Sequence, residues 1–98
     1  MKVGLLVRIE AKPEHAAEVE AMLRGAQELA EQEQGTLAWF AFRENATTFG
    51  VFDTFDDEEG RRAHLNGPIA AALGEAAKTK LAAPPSIAQI DLLGSKVA

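Results

Sequence analysis

The sequence predicts an α+β domain of the ferredoxin-like βαββαβ kind, a four-stranded antiparallel sheet with its helices on one face. Three observations carry this reading. Strand-like and helix-like segments alternate in that order along the chain. The 98 residues, 47% hydrophobic and 26% charged, suit one globular domain spanning 1–98. Cysteine is absent, so neither a disulfide framework nor thiolate metal ligation holds the fold.

Each element has a local cause. Val3 to Glu10 (VGLLVRIE) is apolar and β-branched, a strand. Pro13 is placed to open a helix, where its missing N–H costs nothing. From Pro13 to Gln34, Val19, Met22, Leu23, Ala26 and Ala30 recur at helical spacing, and Gly35 is expected to end the helix. Six glutamates and one arginine stand between positions 14 and 34, mostly off the apolar stripe, and read as a solvated face.

Leu37 to Glu44 and Thr47 to Phe55 are aromatic-rich strands, joined by a predicted two-residue turn at Asn45-Ala46. Asp56 is the expected N-cap of the next helix, with Glu59 completing a capping box. Asn66-Gly67-Pro68 breaks that helix, and a further stretch runs from Pro68 to Leu81. Pro84-Pro85 forces an extended link into a last strand, Ser86 to Leu93.

Composition narrows the function. A net charge of −5 and a pI near 4.9 argue against nucleic acid or an anionic membrane as partner. No apolar run approaches the roughly 18 residues of a membrane span. The opening Met-Lys-Val-Gly-Leu-Leu-Val-Arg reaches charge too soon for a secretory signal, so a cytoplasmic location is expected. Glycines are dispersed singly, with no phosphate-cradling loop and no Gly-x-Ser-x-Gly elbow. No cofactor is expected.

Helices cover only one sheet face, and the other should then alternate polar in a monomer. Here both parities of the middle strands are apolar. Four strands at about 4.8 Å spacing and roughly 20 Å length give an open face on the order of 400 Å². Its aromatic content predicts a twofold homodimer joined face to face. With a two-residue turn, Glu44 would face Thr47 and Trp39 would face Phe52. That register sends Trp39 and Phe52 to the dimer interface, and Phe40, Phe42, Phe49, Val51, Asp53 and Phe55 to a pocket under the helices.

Three stretches resemble the antibiotic biosynthesis monooxygenase family of dimeric α+β barrels. They are LLVRIEAKPEHAAEVEAML, TTFGVFDTFDDEEGRRAHLNGPIAAAL with its Ala-His-Leu, and the closing PPSIAQIDLL. The resemblance implies a cofactor-independent oxygenase acting on quinols or anthrone-like compounds, in a family that also holds haem-degrading members. An electron-rich phenol, once deprotonated, can itself pass an electron to dioxygen. The protein then supplies a dry pocket, a base and a donor to steady the anion.

His64 stands in the position of the family's helix histidine and is the expected base, a role that requires the neutral ring. A structural histidine capping the last helical carbonyls is the plainer reading. Asp53, mid-strand among apolar neighbours, needs a partner; it would orient His64 or form a structural ion pair. Arg8 is a candidate for a ligand carboxylate or phenolate, against a rim salt bridge. Arg61 and Arg62 are expected in local helix pairs, and His15 on the surface.

The chain also departs from its likeness. Anthrone-oxidising members carry Asn and Trp where Val51 and Phe55 stand here. Haem-degrading members expect a histidine in the later helix, which Pro68–Leu81 lacks, and a first-strand Asn where Arg8 stands. Two other functions fit the same architecture: a non-catalytic dimer that binds a small hydrophobic ligand or serves a stress response, and a cofactor-free isomerase.

Overall fold

A computed structural model describes Met1–Ala98. Strand β1 covers Val3–Glu10, and a 3-10 turn over Pro13–His15 leads into helix α1, Ala16–Glu31. Strands β2, Ala38–Arg43, and β3, Thr48–Phe55, follow. Helices α2, Glu58–Leu65, and α3, Pro68–Thr79, precede strand β4, Ser86–Asp91. The four strands form one sheet in the order β2-β3-β1-β4, every pair antiparallel. The fold is the ferredoxin-like α+β arrangement. No helix is long and apolar enough to cross a membrane.

Alternation along the two central strands sets the core. Leu5, Val7 and Ile9 of β1 share a face with Phe49, Val51, Asp53 and Phe55 of β3, because Leu5 pairs with Asp53 and Val7 with Val51. All seven are buried. Val19, Leu23, Ala26 and Ala30, at helical spacing on α1, close over that face.

Several local expectations are corrected. Asp57, not Asp56, caps α2: its backbone is extended and its carboxylate accepts from the Gly60 N–H at 2.9 Å. Helix α1 stops at Glu31, and Gly35 is not its left-handed cap, since no residue has positive φ. Gly35 instead allows close approach to α2; a Cβ there would sit 3.1 Å from the Gly60 Cα. Helix α3 ends at Thr79, and Leu81 bridges to Ala11. Strand β4 stops at Asp91, short of Leu93.

Arg61 makes no mere surface pair. It is buried, joined to Glu58, and donates to the carbonyls of Gly4 at 3.1 Å and Ile90 at 3.2 Å. These bonds tie α2 to both β1 and β4, and so fix the helix that carries His64.

The largest correction is the hairpin register. Asn45 Oδ1 accepts from the backbone N–H groups of Thr47 at 3.1 Å and Thr48 at 3.0 Å, and Glu44 N–H bonds the Thr48 carbonyl. This side-chain-capped loop is longer than a two-residue turn. The pairing becomes Trp39 with Asp53, Phe40 with Phe52 and Phe42 with Gly50. A one-residue slip turns every β2 side chain over.

Candidate functional site

The register divides the candidate residues. Phe49, Val51, Asp53 and Phe55 lie under the helices, but of the four only Val51 lines the apolar cavity described below, and Phe49 lines a separate depression along α1 and β2. Trp39 joins them and is not on the open face; it packs against both buried clusters of the core. Phe40 and Phe42 move the other way. They lie on the open face with Phe52, where the Phe40 and Phe52 rings stack at 6.4 Å and 11°. Arg8 is also on that face and ion-pairs with exposed Glu44, so it does not reach the space under the helices.

His64 sits in the last turn of α2, its side chain 7% exposed, with its ring 5.5 Å from that of Phe55. Its Nδ1 bonds Glu33 Oε1 at 2.6 Å, and its Nε2 lies 2.9 Å from Asp53 Oδ2. The second contact has ion-pair distance but falls outside hydrogen-bond alignment, so neither Asp53 oxygen has a donor aimed at it. Asp53 is fully buried. An ionised carboxylate there requires a countercharge, and His64 is the cation in contact with it.

His64 is thus flanked by two acids. Burial pulls its pKa down; the close approach of the Asp53 carboxyl group and the hydrogen bond to Glu33 outweigh that and leave it above the ordinary histidine value.

Glu33 escaped the sequence reading because it counted as one more acid of the α1 face. It lies beyond the end of α1, held by the Thr36 hydroxyl, which donates to Oε1 at 2.8 Å. A Cβ at Gly67 would come within 3.1 Å of Glu33 Oε2 and 3.2 Å of the His64 carbonyl. The Asn66-Gly67-Pro68 break thus lets the loop after α1 approach the end of α2. No local spacing signals this contact; it spans 31 residues.

Beside His64 lies a cavity of about 240 Å³ between α1, α3 and the sheet. Val51, Met22, Leu29, Ile69 and Leu73 are among its walls, and His64 is its single titratable lining residue. Asp53 and Glu33 stand behind the ring and outside the lining. A wider, shallower depression of about 500 Å³ follows α1 and β2, where Glu20 pairs with both Arg24 and Arg43. That depression is polar and more open, with two arginines on one glutamate, which makes the smaller apolar cavity the better candidate for a small-molecule ligand.

The sequence model for antibiotic biosynthesis monooxygenases matches residues 3–76. A protein of unknown function from Nitrosomonas europaea superposes with a TM-score of 0.95 at 52% identity, covering 99% of this chain and 94% of that one. A Pseudomonas aeruginosa protein superposes at 0.81 with 22% identity, covering 95% of each chain. A Caulobacter crescentus protein named for the monooxygenase family superposes at 0.80 with 21% identity, covering 95% of this chain and 91% of that one. No curated protein matches the sequence.

Proposed function

The chain belongs to the antibiotic biosynthesis monooxygenase family, and from that premise we propose that it oxidises a small aromatic of the quinol or anthrone type with dioxygen and no cofactor. The observation that carries the reading is the apolar cavity with one titratable lining residue, His64, backed by Asp53 and Glu33. The substrate supplies all four electrons. One oxygen atom enters the ring and the other leaves as water.

The residues divide the work by position. Glu33 holds Nδ1 in an aligned hydrogen bond and fixes the ring. His64 takes the phenolic proton at Nε2, whose contact with Asp53 Oδ2 is unaligned, and the two flanking acids favour the imidazolium so formed. The imidazolium charge then steadies the aromatic anion while it passes an electron to dioxygen. Val51 walls the cavity, and Phe55 packs on the His64 ring.

Two copies pair through the open sheet face, where Phe40, Phe42 and Phe52 present an apolar patch around the stacked Phe40–Phe52 pair.

The test is dissolved-oxygen uptake with a panel of reduced quinones and anthrones, beside His64→Ala and an enzyme-free blank for autoxidation. Uptake above the blank that His64→Ala loses while still folded supports the reading. No uptake above the blank overturns it. Ligand retained by His64→Ala without uptake identifies a binding module, and turnover without oxygen an isomerase.

A further inference from the structure

We infer that the cavity beside His64 opens to solvent through a notch at Gly25 on the flank of α1, and that Gly25 thereby decides how long a ligand the site takes. The inference rests on the proposed function only in taking this cavity as the ligand site.

The notch follows from helix spacing. Met22, Gly25 and Leu29 all line the cavity, and steps of three and four residues put them in one row along α1. Met22 and Leu29 fill the row with long, half-buried side chains, and Gly25 between them has none. A Cβ at Gly25 would meet nothing within 4 Å, so neither α3 nor the sheet covers the gap.

Exposure picks the same place. The deep walls, Val7, Ala26, Val51 and Ile69, are buried. The exposed lining residues are Gly25, Ala72 and Ile87. Ile87 brings a branched side chain to its stretch of wall and Ala72 a methyl, which leaves Gly25 as the thinnest point. Packing does not demand glycine there, and glycine is a poor helix former. Gly74 of α3 is equally free of contacts but lies outside the lining. The helices stand on the opposite side of the sheet from Phe40, Phe42 and Phe52, so pairing through the open face leaves the notch uncovered.

The polar end of a ligand has one titratable partner in the cavity, His64. The apolar remainder, where it outgrows the closed walls, runs out through the notch to solvent. A side chain at position 25 closes that path and leaves the deep walls unchanged, so it penalises long ligands and spares short ones.

The test compares phenol with 4-hexylphenol at about pH 7.5, where both are neutral, followed without turnover through the Val51 and Ile69 methyl resonances. Both probes should shift these methyls in the native protein. Gly25→Leu should keep phenol within about twofold and lose about tenfold or more in affinity for 4-hexylphenol, the worth of two buried methylenes. Gly74→Leu adds the same side chain away from the lining and should match the native protein with both probes. Leucine is a better helix former than glycine, so Gly25→Leu should fold. If it does not, Gly25→Ala serves, with a loss of about fourfold for 4-hexylphenol, the worth of one methylene.

4-Hexylphenol binding Gly25→Leu as tightly as the native protein overturns the inference and moves the opening to Ala72 or Ile87. Equal losses in Gly25→Leu and Gly74→Leu, equal losses of the two probes, or silence from both in the native protein also overturn it. A length-dependent loss at Gly25 with no quinol-dependent oxygen uptake leaves this inference standing and removes the oxygenase. Oxygen uptake that depends on His64, with 4-hexylphenol binding unaffected by Gly25→Leu, does the reverse.

Discussion

His64→Ala should destabilise the protein far more than an ordinary surface substitution. Asp53 is 0% exposed, has no hydrogen-bond donor aimed at either oxygen, and meets its countercharge at 2.9 Å in His64. Removing the ring leaves a buried carboxylate alone, at a cost of about 3–5 kcal/mol. That is a large share of the roughly 5–15 kcal/mol typical of a domain. With a urea m-value of about 1–3 kcal/mol/M, the unfolding midpoint should drop by more than about 1 M. The single tryptophan, Trp39, packs on the core beside β3 and gives the fluorescence signal. Protein concentration is held constant because dimerisation would add to apparent stability. The double variant Asp53→Leu/His64→Leu should recover most of the loss, because the site is then apolar and carries no stranded charge. Glu33→Gln should cost only about 1 kcal/mol, since the replaced side chain stays neutral and part-exposed. A His64→Ala variant within about 1 kcal/mol of the native protein would refute the ionised clamp.

Three further outcomes follow from the same coordinates. The His64 pKa is raised in the folded state, so its contribution to stability is full below about pH 6.5 and is lost as pH rises through the folded value. Urea midpoints from pH 6 to 9 should therefore fall relative to the Asp53→Leu/His64→Leu variant, and the His64 Cε1–H resonance should titrate above 6.5; a midpoint at or below that value sinks the assignment. Gly50→Ala should destabilise by about 1–3 kcal/mol, because its Cβ would press on the Phe42 ring and lie 2.9 Å from the Val7 carbonyl oxygen; an unchanged melting curve would mean that β2 gives way freely. Phe40→Glu, on an exposed aromatic at the open face, should weaken self-association by about tenfold or more in sedimentation equilibrium. An unaltered dimer would place the contact elsewhere.

Element order and type were legible because each rests on short-range physics. The apolar periods of β1, α1 and β3 and the prolines at the starts of α1 and α3 act within a few residues. The hairpin register escapes the sequence for an equally local reason: Asn45-Ala46 reads as a two-residue turn, whereas the Asn45 side chain accepts two backbone N–H groups and lengthens the loop. Asp53 and His64 could be paired on paper because one strand parity and one helix turn point to the same side. Glu33 could not. Its role arises where the end of α1 meets the end of α2 at Gly67, a tertiary contact that no window of sequence contains.

The corrected register also changes what the site can be. Had Phe40 and Phe42 lined the cavity, aromatic walls from β2 would have framed the ligand and Arg8 could have met its anion. With all three on the other face, the cavity's polarity reduces to His64, and two acids raise that ring's affinity for a proton. A lone neutral histidine in such a cavity would have its pKa lowered by burial and would act alone. Backed by Asp53 and Glu33, it is a stronger base than burial alone would leave it. The oxidation we propose therefore begins with proton transfer to His64. Any substrate whose oxidation starts otherwise has no group in the cavity to help it.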